Sequence, residues 1–426
     1  MKRSDYRLLS CILVILLAFL CMHFLKGRHE GSNVDIYTDG ELIGSYPLSG
    51  DRDIELDHNT ITIKGGKVYV SSADCPDRLC VRQGAVSHTG DTIACLPNRL
   101  LIKISGQESK TTYTALHFDT VVNIDIYNVA DPDSAKAALQ DLCRQYELIC
   151  SRTDERSELY KLNHKSISDN IEIDHNGQSL TAYKVSDELY DMISYGLDAY
   201  AMSDGLFDIT IAPVSDLWMF GSENNSMPDD VMLKEALKSV CADNIILCPD
   251  SYVAFTDDRT MIDLGGLAKG YIADRIRDFL KSKEVNKAII SLGGNVVVMN
   301  NDENDAYNIG IKKPFSSSGD IIGTVRSSNG SIVTSGTYER YFESDGRLYH
   351  HILNPSTGYP FETDLSSATV ISSSSMEGDV LSTILLSEGM QKAVKRADEL
   401  KKNKIYVILI DDDGNVIYDS GSYILN

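Results

Sequence analysis

An uncharged stretch near the N-terminus, Leu8 to Leu25, is the feature that most limits how this chain can be arranged. Eighteen residues in a helix rise about 27 Å, enough to cross the hydrocarbon core of a bilayer. Three basic residues precede the stretch and two follow it, at positions 2, 3, 7, 26 and 28. This charge bias predicts that the N-terminus stays inside and that the rest of the chain lies outside the cytoplasm.

Cleavage of this stretch as a signal peptide is the alternative. A cleaved signal peptide has a shorter apolar region and small residues before the cut. Phe19 and Leu20 precede Cys21, and this also disfavours lipoprotein cleavage at that cysteine. We therefore predict that residues 1–28 form an uncleaved anchor, a single transmembrane helix in the cell membrane.

The net charge excludes one class of partner. The 426 residues carry a formal charge of -22, and the acidic residues are spread along the chain. A phosphate-binding surface needs clustered Lys and Arg, so we predict no nucleic-acid partner.

The nine cysteines are too few to build a disulfide scaffold in a chain of this length. Cys75, Cys80 and Cys95 fall within one short segment. Their spacing lacks the paired CxxC elements of common zinc sites, which disfavours a metal there. One disulfide among the three and three buried free thiols both remain open.

The pattern of residues 33–108 predicts a small all-β domain. Short stretches of alternating hydrophobicity, such as Val34–Tyr37 and Leu100–Ile104, are separated by Gly-containing turn signals. The segment resembles the NusG domain II-like module on the strength of Cys75-Pro-Asp-Arg-Leu-Cys80 followed by Cys95-Leu96-Pro97. This likeness concerns a fold and implies no role in transcription.

Strands and helices alternate from Tyr113 to the C-terminus, after a polar linker over Gly106–Thr112. Helical spacing is clear at Ser186–Met202, and strand patterns recur at Lys287–Ser291 and Ala368–Ser372. The chain is therefore predicted to be α+β, with mixed strands and helices in a domain over residues 113–426.

Four segments carry residues suited to chemistry. Gly205–Gly221 contains the single Trp and, taken alone, is typical of a buried strand followed by a hydrophobic turn. In Ile262–Asp274 two glycines join a strand end to a helix start, an arrangement that exposes N–H groups to a phosphate. Thr334–Tyr341 leads to adjacent histidines at 350 and 351. In the fourth segment, Asp379 and Thr383 share a helix face and offer the oxygen ligands that Mg2+ prefers.

These segments together resemble the ApbE family of FAD:protein FMN transferases. The family motifs appear here in order as Gly205-Leu-Phe-Asp-Ile-Thr with Leu-Trp218, Asp263-Leu-Gly-Gly-Leu-Ala-Lys-Gly-Tyr271, Leu292-Gly-Gly-Asn295, Thr334-Ser-Gly-Thr-Tyr-Glu-Arg340, His351-Ile-Leu-Asn-Pro-Ser-Thr-Gly358 and Asp379-Val-Leu-Ser-Thr383. The resemblance covers residues 113–426 and implies FAD as substrate and Mg2+ as cofactor.

The resemblance also implies roles for individual residues. Those expected to contact the flavin nucleotide are Leu206, Phe207, Asp208, Asp263, Lys269, Ser335, Gly336, His351 and Ile352. Those expected to hold Mg2+ are Asp379, Thr383, the carbonyl of Gly266, and Ser382 close by. Two positions depart from the family pattern: Phe118-Asp-Thr120 replaces Met-Gly-Thr, and Thr153 stands where the family often has a flavin-contacting aromatic.

The reaction that the family implies is attack by a Thr or Ser hydroxyl of an acceptor protein on the FMN-side phosphorus of FAD, with release of AMP. His351 or Asp379 is the expected proton acceptor. The expected partner is a flavin-carrying subunit of a membrane electron-transport system. Hydrolysis of FAD and a non-catalytic flavin-binding module are the alternatives. Self-modification at Ser366-Ser-Ala-Thr369 is not expected, because Asp364 is one residue too near for the acceptor motif.

Overall fold

The computed structural model describes residues 31–106, 109–220, 226–301, 305–316, 319–421 and 423–424. The predicted anchor, residues 1–28, lies outside these ranges. Within them, no helix is both long enough and apolar enough to cross a membrane. Backbone contacts divide the chain between Ser109 and Lys110 into two compact units, each with its own core.

The first unit is rich in strands, as the alternating pattern predicts. Two antiparallel sheets, in the orders β2-β1-β7-β6 and β3-β4-β5, enclose one apolar core. Every second residue of β4 and β7 is buried, which explains why periodicity found these strands. The elements are β1 (Asn33–Thr38), β2 (Glu41–Pro47), β3 (Arg52–Glu55), β4 (Asn59–Lys64), β5 (Lys67–Ala73), α1 (Leu79–Arg82), β6 (Thr92–Cys95) and β7 (Leu100–Ser105).

The second unit is built on an eight-stranded antiparallel sheet in the order β23-β22-β21-β18-β15-β14-β9-β8. Smaller sheets of β10-β11-β13-β12, β16-β17-β24 and β19-β20 accompany it. The strands are β8 (Lys110–His117), β9 (Thr120–Tyr127), β10 (Asn170–His175), β11 (Gln178–Lys184), β12 (Ile245–Cys248), β13 (Tyr252–Phe255), β14 (Lys287–Leu292), β15 (Asn295–Asn300), β16 (Tyr307–Lys312), β17 (Ile321–Ser327), β18 (Gly330–Gly336), β19 (Tyr341–Ser344), β20 (Arg347–His350), β21 (Leu365–Ser372), β22 (Tyr406–Asp411), β23 (Val416–Asp419) and β24 (Tyr423–Ile424).

Helices cover one face of the large sheet. Helix α8 lies on β18 and β21, and α7 lies beside it on β14 and β15. The helices are α2 (Pro132–Cys150), α3 (Glu158–Asn163), α4 (Asp187–Met202), α5 (Ala212–Trp218), α6 (Asp230–Ala236), α7 (Ala268–Ser282), α8 (Ser375–Glu388) and α9 (Met390–Lys401), with 3-10 turns at Leu237–Ser239 and Ala242–Asn244. The predicted α+β class is confirmed.

Two local expectations are wrong. The polar linker does not extend to Thr112, because β8 begins at Lys110 and pairs along its whole length with β9. The segment read as a buried strand before Trp218 contains helix α5, and only Ile211 makes a strand-like bridge. Pro213 stands in the first turn of this helix, where a missing N–H costs nothing.

Candidate active site

A cavity of about 1460 Å³ in the second unit gathers most of the residues singled out in the sequence. Its walls come from the β8–β9 turn, the chain after α2, the segment before α5, the start of α7, the end of β18 and helix α8. The predicted residues that line it are Phe118, Thr153, Leu206, Phe207, Asp208, Asp263, Gly266, Lys269, Ser335, His351, Ile352, Asp379 and Thr383. Gly336 and Ser382 are buried and are not among the lining residues.

Asp379 is fixed by the contact between α7 and α8. The carboxylate of Asp274, on α7, accepts hydrogen bonds from the backbone N–H groups of Ser375 and Met376 and from the Ser374 hydroxyl. The two N–H groups are unpaired donors of the first turn of α8, so Asp274 and the N-cap Ser374 together fix the start of that helix. Gly270 lets the helices touch, since a Cβ there would lie 2.4 Å from the carbonyl oxygen of Ser375.

The oxygen atoms around Asp379 fit a magnesium ion. Asp379 is 4% exposed, and burial raises the pKa of its carboxyl group although Lys269 opposes the shift. One carboxylate oxygen, Oδ2, accepts the N–H of Gly270 at 2.9 Å. A divalent cation would stabilise the ionised form that burial disfavours. The Thr383 hydroxyl donates to the Asp379 carbonyl at 3.2 Å and stands 3.3 Å from the Ser335 hydroxyl, on the same cavity wall.

Ser382 is buried next to this cavity wall and contacts two of its residues. Its hydroxyl donates to the Asp379 carbonyl at 3.0 Å and lies 2.8 Å from the hydroxyl of Ser335. Gly266, the predicted carbonyl ligand, packs against the ring of Phe207, where a Cβ would approach to 2.9 Å. The glycine is therefore needed for close packing of the two predicted site segments.

Lys269 brings positive charge to the cavity, and three N–H groups before it already have protein partners. The N–H groups of Leu267 and Ala268 both donate to the Leu264 carbonyl, and that of Gly265 donates to the Asp263 carboxylate. Three N–H groups of the expected phosphate-binding turn are thus engaged internally. The ammonium of Lys269 donates to the Gly265 carbonyl at 3.0 Å, which leaves two of its hydrogens for a ligand.

His351 also lines the cavity, near enough to Lys269 to feel its charge. Its side chain is only partly exposed, and burial, with the nearby charge of Lys269, lowers its pKa to about 3. Its Nδ1 atom is 3.3 Å from the carbonyl oxygen of Arg340. If Nδ1 carries the hydrogen it donates to that oxygen, and Nε2 keeps a lone pair that accepts a proton.

Two predicted flavin contacts already have protein partners. Asp208 is buried and accepts hydrogen bonds from the N–H and hydroxyl of Thr210 at 2.8 and 2.6 Å. Asp263 pairs with Arg152, whose Nε lies 3.2 Å from Oδ2. Both carboxylates therefore also shape the loops that form the cavity wall.

A sequence model described as the ApbE family matches residues 118–409. The chain belongs to the ApbE family. A second model, NusG domain II, matches residues 8–108, and both predicted resemblances are thereby confirmed.

Other members of the ApbE family are similar over most of the second unit. A Klebsiella pneumoniae protein named FAD:protein FMN transferase is 32% identical over 310 residues, which are 72% of this chain and 92% of that protein. A Treponema pallidum protein of the same name is 29% identical over 64% of this chain and 77% of its own length. The crystal structure of the ApbE protein from Thermotoga maritima aligns with a TM-score of 0.63 and 27% identity, over 73% of this chain and 97% of that one.

Sequence reasoning missed several charged residues of this ApbE-family cavity, among them Arg152 and Glu339. Arg152 pairs with Asp216 as well as Asp263, and no local pattern reveals it because both partners are remote in sequence. Glu339 also lines the cavity, and desolvation raises the pKa of its carboxyl group. It lies within the Thr334–Tyr341 segment, so that motif was the available signal.

Proposed function

We propose that this chain transfers FMN from FAD to a Ser or Thr hydroxyl of an acceptor protein, with Mg2+ as cofactor and AMP as the released product. The observation that carries the proposal is that Asp379, Thr383, Lys269 and His351 line one cavity. The names of the family relatives support the flavin transfer. The cavity is larger than pockets of roughly 300–1,000 Å³ that hold small ligands, which suits a dinucleotide and an acceptor segment together.

Asp379, Thr383 and the Gly266 carbonyl would hold Mg2+, which neutralises charge on the pyrophosphate when it is bound. The ammonium group of Lys269 also stabilises the negative charge of the pyrophosphate. The acceptor oxygen bonds to the FMN-side phosphorus, the bond from that phosphorus to the bridging oxygen breaks, and AMP leaves. The hydroxyl proton passes either to Asp379, whose carboxyl pKa is raised by burial, or to Nε2 of His351, whose ring is oriented by the Arg340 carbonyl. Positioning and charge stabilisation account for most of the catalysis in such a transfer.

The test is product analysis with FAD, Mg2+ and a flavin-carrying subunit of a membrane electron-transport system as acceptor. Covalent FMN on the acceptor with equimolar AMP supports the proposal. Free FMN with AMP would indicate hydrolysis instead, and unchanged FAD would indicate a binding module.

Asp379→Asn tests the role of the metal in the same assay. The substitution keeps the shape of the side chain and removes its charge, so transfer should fall at least about 100-fold. Saturating Mg2+ should raise the melting temperature of the wild type and leave that of the variant unchanged. Glu377→Gln, on the same helix, is the matched control, since it removes a half-buried carboxylate that does not line the cavity. Equal Mg2+ stabilisation of Asp379→Asn would refute the assignment.

We also propose that residues 1–28 anchor the chain in the cell membrane with the second unit outside the cytoplasm. The length of the uncharged stretch and the basic residues before it support this placement. Membrane fractionation followed by protease treatment of intact cells tests it. Recovery of the full chain in the soluble fraction would contradict the anchor.

A further inference from the structure

The first unit contains a cluster of three thiols that the proposed transfer does not use. Cys75 follows β5, Cys80 lies in α1 and Cys95 ends β6, so three separate elements bring the sulfur atoms together. The three Sγ atoms lie within 4.8 Å of one another, and those of Cys75 and Cys80 are 3.9 Å apart. All three side chains are at most 5% exposed.

These distances match those of sulfur atoms around one metal ion. At a metal–sulfur distance of about 2.3 Å, the sulfur atoms of a tetrahedral or trigonal site lie roughly 3.8–4.0 Å apart. The cluster needs only small side-chain shifts to reach that spacing. Thiolate ligands of this kind select soft metal ions over Mg2+ and Ca2+.

Amide groups surround the sulfur atoms. The Asn59 side chain donates to the Cys80 sulfur through Nδ2 at 4.0 Å. The Asn98 side chain in turn donates to the side-chain oxygens of Asn59 and Asp74 at 2.9 and 3.0 Å. Such outer hydrogen bonds orient cysteine ligands and stabilise their negative charge.

The cluster is buried but lies just below the surface. Residues 76–79 are exposed, and Leu96, beside Cys95, is 86% exposed. A metal ion therefore has a short path from solvent to the sulfur atoms, as a binding site requires.

A disulfide would account for only two of the three sulfur atoms. It would leave a third buried thiol converging on the same point. Among the described residues, no His, Asp or Glu joins the three cysteines in this group. Three thiolates without a fourth protein ligand suit a three-coordinate ion such as Cu(I), or Zn(II) completed by water.

We propose that Cys75, Cys80 and Cys95 form a binding site for one thiophilic d10 metal ion. Binding replaces the thiol hydrogens by the metal and releases them as protons. The site belongs to the first unit and does not depend on the flavin-transfer proposal.

The experiment uses the full chain, purified without oxygen, fully reduced and stripped of metal. Cu(I) and Zn(II) are each titrated against a chromophoric chelator that competes for the ion. We expect at least one of the two metals to bind with one ion per chain. The separate Cu(I) and Zn(II) titrations identify which metal binds. Cys95→Ser should weaken this binding at least about 100-fold, whereas the control Cys241→Ala, a cysteine of the second unit, should bind as the wild type does.

A second measurement does not depend on a variant that might misfold. In the wild type, bound metal should slow alkylation of Cys75, Cys80 and Cys95 in mild denaturant at least tenfold, and leave Cys241 unaffected. The proposal would be overturned if the reduced protein takes up neither ion, or if Cys95→Ser binds metal as tightly as the wild type. It would also be overturned by a Cys75–Cys80 disulfide in a protein that binds no metal after reduction.

Discussion

His351 and its neighbour His350 are histidines that the fold keeps uncharged. Burial lowers the pKa of His351 to about 3 and that of His350 to about 4, from 6.5. Because the unfolded chain binds these protons first, the free energy of unfolding should fall as the pH drops from about 6.5 towards 3. His351→Gln should flatten part of this fall in denaturant titrations. The exposed His164→Gln is the control, and an unchanged slope in His351→Gln would show that the residue is not buried as described.

Individual residues of the site differ in whether they could be predicted from the sequence. The motif order located Asp379, Thr383, Lys269 and His351, and the structure brings these four to one cavity. The motif order gave no sign of Arg152, because an ion pair between remote residues leaves no local pattern. The cysteine spacing disfavoured a metal site because it lacks paired CxxC elements. The closeness of the third sulfur atom, which comes from a separate strand, depends on the fold.

At the scale of elements, the junction of α7 and α8 determines the position of Asp379. Asp274 holds the first turn of α8 through three hydrogen bonds and pairs with Arg277. Asp274→Asn should lower the free energy of unfolding by about 1–3 kcal/mol, because buried N–H groups lose a charged acceptor. It should also weaken the response of the enzyme to Mg2+, since Asp379 is carried by that helix.

Asp278→Asn is the matched control for this change. Asp278 lies one turn further along α7 and also contacts Arg277, but its side chain is 46% exposed. The loss of an exposed ion pair should cost less than about 1 kcal/mol. Equal effects of the two substitutions in urea unfolding would mean that Asp274 acts only through Arg277.

Element boundaries were predictable where one face of an element is buried. The helix expected over 186–202 spans Asp187–Met202, and the strand expected over Lys287–Ser291 extends by one residue. Strand β10 was missed although Ile171 and Ile173 alternate with polar residues, and none of its residues is fully buried. Helix α9 was missed as well, because its mostly polar surface buries only Ala393 and Ala397.

At the scale of the whole molecule, the two units have separate apolar cores. The core of the first unit ends at Ile104, and that of the second begins at Tyr113. A chain segment with its own core can fold by itself. The cavity is lined only by residues from Phe118 onwards.

A fragment of residues 106–426 should therefore fold and keep flavin transfer within about threefold of the full chain. The fragment starts before Lys110 so that β8 can still pair along the edge of the large sheet. A matched fragment starting at Val121 removes β8 and should lose stability, because β9 would become an exposed edge strand and Tyr113 would leave the core. Circular dichroism and the transfer assay measure both outcomes. If the 106–426 fragment is unfolded or inactive, the first unit contributes to the stability or chemistry of the second, and the division at Ser109 is not a functional one.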